Sequence, residues 1–448
     1  MKQYEAVVIG AGPGGYEAAV ELGKAGIKTL LIEKRKEHIG GTCLNEGCIP
    51  TKNYLQSAQY VSKIPYFTNC GLALEWKGLN LMQLADTTRG LKNELRSGIV
   101  WLLDQAGVET MYGTATFIDS HTVDVSGETI GFEKCLIATG ARVRETSVLP
   151  LDGEKILSSS DVFELSALPK SMIIVGGGAI GCEFATFFNA FGVEVTLIAR
   201  GDQLLSGEDE DVAKTLLRAF KKSNIDVRLS TAVLNASVNE TDVELLIKGE
   251  SEESVRCELV LCAIGRDPYT EGLCPENAGV KQNEKGFISI NEAFQTTQEH
   301  IYAVGDCIDT PAFAHTAYVE ARIAAHNMIS GEAHTNTRIN PSTVFSNPQI
   351  ASCGLSEKEA HAQGRAIEIK KAFFKVNAKA KILGDDAGFA KMVVCPQSGV
   401  VLGATIIGME ATEIIHEMIL AVEQKLTAKE LVGMIHVHPS VSEIVRYL

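Results

Sequence analysis

Cys43 and Cys48 are the residues in this 448-residue chain best equipped for chemistry. They stand in Gly40-Gly41-Thr42-Cys43-Leu44-Asn45-Glu46-Gly47-Cys48-Ile49-Pro50-Thr51-Lys52, with four residues between them. A thiol pair that opens and closes a disulfide moves two electrons and two protons. In an ideal α-helix, Cα atoms five positions apart are about 8–9 Å from each other. A disulfide needs about 4.4–6.8 Å. If the pair bridges, Cys43 must therefore lie outside regular helix, and the flanking glycines and Pro50 permit that distortion. Two buried, inert thiols are the competing reading, because free cysteine is among the most buried residue types. Spacing alone leaves both open.

A base for thiol chemistry stands near the C-terminus, in His436-Val437-His438-Pro439-Ser440-Val441-Ser442-Glu443. Imidazole is the natural group for making a thiolate near neutral pH. Ser440-x-x-Glu443 also has the form of a helix capping box, which explains the serine and glutamate without catalysis.

The elements that must position these residues announce themselves by their glycines. Residues 5–9 form an apolar strand running into Gly10-Ala11-Gly12-Pro13-Gly14-Gly15, then a helix over 16–24, then a strand over 28–32 that ends on Glu33. Glycines there allow a tight turn and close approach to a pyrophosphate, and the helix N-terminus offers free N–H groups. Glu33 stands where a carboxylate can accept from ribose hydroxyls. The same pattern returns as a strand over 171–175, the turn Gly176-Gly177-Gly178-Ala179-Ile180-Gly181, a helix to 191 and a strand over 193–198. Two dinucleotide sites in one chain suit electron transfer from one nucleotide to the other. From Gly10 to Glu33 is 23 positions, and the same count from Gly176 reaches Ala199, followed by Arg200. The second site thus lacks the ribose-binding acid and offers a guanidinium suited to a 2′-phosphate, which leans it toward NADP(H). Arg200 is equally readable as a solvated surface charge.

Strands over 132–138 and 259–264 close on the small-residue turns Ala138-Thr139-Gly140 and Ile264-Gly265, where the chain is expected to cross between domains. The strand over 300–304 ends on Gly305-Asp306, and that acid could bind ribityl or ribose hydroxyls or cap the next helix. From about residue 338 the glycine-rich loops stop. Residues 343–345, 366–376 and 391–394 read as strands, and 356–363, 411–424 and 428–434 as helices, a composition that suits an interface domain. Residues 336–341 are the best candidate linker.

Bulk properties exclude several classes. The length requires more than one hydrophobic core. A net charge of −15 argues against nucleic acid and anionic lipid as partners. No apolar run approaches the roughly 18 residues of a membrane span, and a strand that begins near Tyr4 leaves no room for a signal peptide. Eleven cysteines, odd in number and scattered, suit a reducing cytoplasm in which any disulfide is catalytic.

Taken together these motifs resemble the flavin-dependent pyridine nucleotide-disulfide oxidoreductases, the group that contains dihydrolipoamide dehydrogenase, glutathione reductase and mercuric reductase. The resemblance runs through Gly10–Gly15 with Glu33, Gly41-Thr42-Cys43 to Lys52, Gly113-Thr114-Ala115, Ala138-Thr139-Gly140, Gly176–Gly181, Gly305-Asp306, Ala314-His315 and His438-Pro439 to Glu443. The wording of residues 44–50 and 411–415 is most similar to the dihydrolipoamide dehydrogenases. No cysteine follows Cys395, unlike the C-terminal pair of mercuric reductases.

The resemblance implies an α/β fold with two Rossmann-like dinucleotide-binding domains, for FAD and NAD(P), plus a C-terminal α+β dimerisation domain. The implied boundaries are 1–141 for the first part of the FAD domain, 142–268 for NAD(P), 269–337 completing the FAD site and 338–448 for the interface. FAD would lie on Gly10, Gly12, Gly14 and Gly15 with Glu33 on its adenosine ribose, reached also by Gly41, Thr42 and Lys52. Ala115 would sit near the adenine, Asp306 near the ribityl chain, and Thr139, Gly140 and Ala314 along the cofactor. The pyridine nucleotide, NAD or NADP, would lie on Gly176, Gly178, Ile180 and Gly181, with Arg200, Val233 and Gly265 around it. Cys48 would face the flavin, Cys43 would exchange with substrate, Lys52 would pair with Glu183, and His438, oriented by Glu443, would be the acid–base. No metal is implied.

The implied activity is oxidation of dihydrolipoamide, free or on a lipoyl-carrying protein of a 2-oxoacid dehydrogenase-type complex, by NAD(P)+. The implied assembly is a homodimer with active sites shared between subunits. An NADPH-driven reductase of another small, glutathione-like disulfide is the alternative, and Arg200 favours it. No lipoyl domain precedes Met1, so a lipoyl group is expected to come from another protein.

Overall fold

Strand β1 (Lys2–Ile9) begins exposed and turns apolar toward its C-terminal end, so it enters the protein interior just before Gly10. A computed structural model describes all 448 residues, and the chain divides into two compact units.

The first unit gathers residues 1–50, 83–144 and 265–337. Its sheet runs in the order β3 (Glu109–Tyr112), β2 (Thr29–Glu33), β1, β6 (Glu128–Ile137), β5 (Thr122–Val125), β4 (Ala115–Asp119), and strand Ile301–Ala303 also pairs with β6. β1, β2, β3, β6 and Ile301–Ala303 are mutually parallel, and β2 is buried along its whole length, as strands covered on both faces are. Helix α1 (Pro13–Lys24) packs against helix Ala314–Ser330. A two-stranded ribbon, Ala141–Val143 with Arg266–Pro268, lies where the chain leaves and re-enters this unit.

The second unit gathers residues 51–82, 145–264 and 338–448. It holds a parallel sheet ordered Asp226–Arg228, Glu194–Ile198, Ser171–Val175, Leu259–Cys262, Ile156–Leu157, and a three-stranded antiparallel meander from Ala232 to Cys257. The C-terminal part is an antiparallel sheet ordered Ser342–Val344, Gln349–Gly354, Val401–Gly408, Phe389–Val394, Glu368–Phe373, with helix Ala411–Glu423 packed on it. Lys391 ties this part to the nucleotide-binding part. Fully buried, it donates to Asp209 at 2.8 Å, Asp211 at 2.9 Å and Glu357 at 3.2 Å.

Three features differ from the sequence expectation. The stretch 366–376 is a strand only to Phe373, and Phe374–Val376 turn as a 3-10 helix. Strands Gln349–Gly354 and Val401–Gly408 carry no period-2 alternation, because the second is central and almost wholly buried. Residues 51–82 cluster with the nucleotide-binding and C-terminal parts instead of the first unit. Aromatic packing explains that grouping, since the Tyr54 ring meets Phe163 and Phe187, and the Trp76 ring meets Phe191.

Candidate active site

The cysteine segment is a helix break. Helix α2 (Gly41–Asn45) is a single turn that carries Cys43, and Glu46 leaves it with φ −139°. Helix α3 (Cys48–Asn69) opens on Cys48. Cys43 thus lies outside the long helix but inside a one-turn α-helix of its own, which corrects the expectation that it leaves regular helix: the break falls at Glu46–Gly47, between the two cysteines. A Cβ added at Gly47 would lie 3.0 Å from the Thr42 carbonyl oxygen and 3.4 Å from the Cys43 Cα. The chain therefore folds back at residues 46–47, where a side chain at position 47 would press on the Thr42 carbonyl.

Both cysteines are half-buried. Cys135, Cys182, Cys307 and Cys353 are buried, and burial pushes each thiol up, Cys307 and Cys353 to about 12. These are inert core thiols, the second of the two readings that the spacing of Cys43 and Cys48 had left open.

Around this segment the first unit builds a glycine cradle. A Cβ at Gly10 (φ +99°) would sit 2.4 Å from the Ala138 carbonyl oxygen, and one at Gly15 1.8 Å from that of Gly10. A Cβ at Gly41 (φ +61°) would sit 2.5 Å from the Gly12 Cα, so two backbones meet there without side chains. α1 starts at Gly12 with no side-chain cap and Pro13 in its first turn, which leaves N–H groups for an anion. The Glu33 carboxylate, buried at the end of β2, accepts from the Ala11 N–H at 2.9 Å. Gly14 and Gly305 close against Val304 and Ala317, which brings the first turns of α1 and of helix Ala314–Ser330 together. Asp306 is half-buried, and desolvation raises its carboxyl while the Arg266 cation opposes that shift. Ala115 heads β4, and Thr139 and Gly140 follow β6. A side-chain-free groove with uncapped helix N-termini and a buried ribose-type acid fits FAD.

Sequence reading passed over several residues here. Arg266 donates to the Ala141 carbonyl at 2.5 Å, and Asp306, Glu46 and Cys48 are in electrostatic reach of it. The Tyr16 and Tyr318 hydroxyls are 2.8 Å apart, with Cys43 in electrostatic reach of both. Asn45, between the cysteines, bonds Arg96. Nothing local in the sequence signals these partners, which lie 51 to 302 positions apart.

In the second unit, Lys52 lies one turn after Cys48 in α3 and donates to both Glu183 oxygens at 2.9 Å. Glu183 is buried in helix Ala179–Ala190 and also accepts from the Phe345 N–H at 2.9 Å. The Lys52 ammonium sits 4.7 Å from the Phe345 ring centre, so a buried carboxylate and an aromatic face both hold this cation.

His438 and Glu443 meet as expected. His438 Nδ1 lies 3.0 and 3.1 Å from the two Glu443 oxygens. The carboxylate is 2% exposed, while the imidazole is 69% exposed. With Nδ1 against the carboxylate, Nε2 is the ring nitrogen that does not face Glu443. The Ser440 N–H donates to Glu443 at 3.1 Å and, with His438, holds its carboxyl below the usual range. The capping box is only half formed, because the Ser440 hydroxyl pairs with Ser442 and the terminal helix is a 3-10 turn starting at Ser442. His436 is a different kind of residue. Its side chain is 3% exposed, with Nε2 3.2 Å from Glu417 and Nδ1 3.2 Å from the Met434 carbonyl.

The second turn repeats the first. A Cβ at Gly176 (φ +131°) would lie 2.2 Å from the Ala263 carbonyl oxygen, and one at Gly181 1.9 Å from that of Gly176. Gly178 is the uncapped start of helix Ala179–Ala190 and has nothing within 4 Å of an added Cβ. Ala199 is buried against Gly177 where Glu33 stands in the first turn, and Arg200 is exposed. Ile180 lies in the first helical turn, and Val233 is half-buried against the core of this sheet. Gly265 (φ +123°) belongs to the first unit, beside Arg144. No helix is long and apolar enough to cross a membrane, and no group of three or more His, Cys, Asp or Glu residues is placed to hold a metal ion.

Comparison with known proteins agrees with this geometry. Residues 4–321 match the pyridine nucleotide-disulphide oxidoreductase family, and residues 340–448 match its dimerisation domain. The chain is 35% identical to a dihydrolipoyl dehydrogenase of Haloferax volcanii, over 98% of this chain and 94% of that one. It is 36% identical to a dihydrolipoyl dehydrogenase of Chlorobaculum parvum, over 99% and 96%. Among solved structures it is similar to LpdA of Mycobacterium tuberculosis (TM-score 0.91, 27% identity, 100% and 99% covered). It is also similar to RclA of Escherichia coli, described as an HOCl-induced flavoprotein disulfide reductase (TM-score 0.89, 29% identity, 99% and 98% covered). The chain belongs to the pyridine nucleotide-disulphide oxidoreductases. It is a flavin-dependent, NAD(P)-linked oxidoreductase of the dihydrolipoyl dehydrogenase type, and its C-terminal domain makes it a homodimer.

Proposed function

We propose that this enzyme oxidises dihydrolipoyl groups to the lipoyl disulfide, with Cys43 and Cys48 as its redox pair and NAD(P)+ as the final acceptor. The observation that carries the reading is the helix break that folds Gly47 onto Cys43 and so returns the chain toward Cys48. A substrate thiolate attacks the Cys43 sulfur of the Cys43–Cys48 disulfide and displaces the Cys48 thiolate. The second substrate thiol then attacks the mixed disulfide, which closes the substrate disulfide and releases the Cys43 thiolate. Both substrate protons leave through His438 Nε2, whose imidazolium Glu443 stabilises. FAD would supply a two-electron carrier between the cysteine pair and the nicotinamide.

Glu33 is assigned to the adenosine ribose, and Gly10, Gly12, Gly14, Gly15, Gly41 and Thr42 to the pyrophosphate and its surroundings. Thr139, Gly140, Asp306 and Ala314 line the same cofactor, Ala115 its adenine end. The Lys52–Glu183 pair supplies a fixed cation for the ring. Gly176, Gly178, Ile180, Gly181, Val233 and Gly265 are assigned to the pyridine nucleotide. The active site is completed by His438 of one subunit serving the cysteines of the other, and a lipoyl-carrying protein of a 2-oxoacid dehydrogenase complex is the substrate donor.

One observation favours a second reading, an NADPH-driven reductase of another small disulfide. Ala199 in place of an acid, with Arg200 exposed beside it, suits a 2′-phosphate. Steady-state assays with dihydrolipoamide and with other thiol–disulfide couples, each with both pyridine nucleotides, separate the two. Efficient turnover confined to dihydrolipoamide supports the first, and NADPH turnover confined to another disulfide overturns it.

A further inference from the structure

α2 is only five residues long, too short to hold itself by backbone hydrogen bonds. Cys48 by contrast opens a 22-residue helix. Cys43 is therefore the member of the pair whose position depends on ties from outside, and those ties converge on Asn45. Asn45 is 6% exposed, and both ends of its side-chain amide are hydrogen-bonded. The amide donates to the carbonyls of Gly41 at 2.8 Å and of His38 and Ile39 at 3.2 Å each. Its oxygen accepts from Arg96 Nη2 at 2.6 Å. Its main-chain carbonyl, at the C-terminal end of α2, accepts from Lys92 Nζ at 3.0 Å. Both cations stand one turn apart on helix α4 (Leu81–Gln105), and all these residues belong to the first unit. Arg96 also donates to Asn93, while its Nε is buried without a hydrogen-bond partner.

We propose that Asn45, Arg96 and Lys92 form a positioning joint that sets the thiol–disulfide equilibrium of Cys43 and Cys48. The proposal rests on the reading of those cysteines as the redox pair. With the joint intact, the reduced segment is already ordered and closing the disulfide costs little further chain entropy. With the joint broken, disulfide formation must order α2 as well, so the dithiol form gains and the pair becomes more oxidising. The exchange is balanced: one sulfur–sulfur bond forms between Cys43 and Cys48, one breaks in the small disulfide, and two electrons and two protons pass to the latter.

The test equilibrates holoenzyme anaerobically in dithiothreitol buffers of graded oxidised-to-reduced ratio, quenches with an alkylating agent and counts labelled Cys43 and Cys48 by mass. Arg96→Met is expected to lower the equilibrium constant for Cys43–Cys48 disulfide formation by about tenfold to a hundredfold, the equivalent of one charge-assisted hydrogen bond. Arg96→Lys should restore most of it. Lys92→Met, which leaves the Asn45 side chain untouched, should shift the constant in the same direction by less, and serves if Arg96→Met does not fold. Constants for the Met variants equal to the unsubstituted enzyme's, with or without a lower melting temperature, would overturn the joint. If the unsubstituted enzyme itself forms no 43–48 bridge at any ratio, the failure lies in the redox-pair reading instead.

Discussion

A methyl group added at Gly10 would lie 2.4 Å from the Ala138 carbonyl oxygen, and one added at Gly176 would lie 2.2 Å from that of Ala263. Gly15 and Gly181 are packed onto the oxygens of Gly10 and Gly176 to within 1.8 and 1.9 Å of an added Cβ. Up to this point the two nucleotide turns are copies. They part company at the middle glycine and at the end of the second strand. Gly12 is backed by Gly41, and a buried carboxylate, Glu33, is bonded to the Ala11 N–H. Gly178 has no atom within 4 Å of an added Cβ, and Ala199 stands where the carboxylate would be. The first turn is closed over by a second stretch of backbone and suits a resident cofactor. The second is open at Gly178, although the Leu205 N–H donates to the Gly177 carbonyl at 2.8 Å as the Gly40 N–H does to that of Ala11, and suits a nucleotide that binds and leaves.

The largest effect expected from this contrast comes from placing one clash in both turns. Gly15→Val should abolish stoichiometric flavin, read as visible absorbance per protein, because the isopropyl group has no space against Gly10. Gly181→Val should keep the flavin and lose pyridine-nucleotide turnover. Equal flavin loss in both variants would break the distinction. His438→Gln touches neither turn. It should slow dithiol turnover by about two to four orders of magnitude while nicotinamide-dependent reduction of an artificial acceptor persists. A near-normal dithiol rate would remove His438 from the mechanism, and His436, buried with both ring nitrogens engaged, is a poor replacement.

Smaller effects sharpen the comparison. Glu33→Gln should weaken flavin retention by about tenfold to a hundredfold, measured as cofactor released on dilution, because a charged acceptor becomes neutral. Ala199→Glu combined with Arg200→Gln should move the NAD-to-NADP efficiency ratio toward NAD by a similar or smaller factor. An unchanged ratio would show that Arg200 does not touch the cofactor.

Much of this was legible in the residues themselves, for a physical reason. Gly10, Gly15, Gly176 and Gly181 admit no other side chain, so their spacing writes the fold into the sequence. Glu33 and Ala199 are found by counting from those glycines. Lys52–Glu183 and His438–Glu443 came through family resemblance, and the structure joins each pair. Ser440 and Glu443 were ambiguous because one pattern serves a cap and a catalytic carboxylate, and the structure gives most of Glu443 to His438. Asn45, Arg96 and Arg266 left no local trace. Their partners are set by tertiary packing, and no periodicity marks an arginine that reaches another element. The strands at 349–354 and 401–408 were missed because strands buried on both faces lose the alternation that identifies them.

The account turns on one sulfur pair, and the direct measurement is peptide mapping of the enzyme before and after anaerobic NAD(P)H. The oxidised enzyme should yield a fragment in which Cys43 and Cys48 are joined and resist alkylation. One equivalent of reduced nucleotide should convert both to alkylated thiols, with Cys135, Cys182, Cys307 and Cys353 unlabelled in the native protein throughout. Cys43 and Cys48 labelled without any reductant, or a bridge to another cysteine, would contradict it.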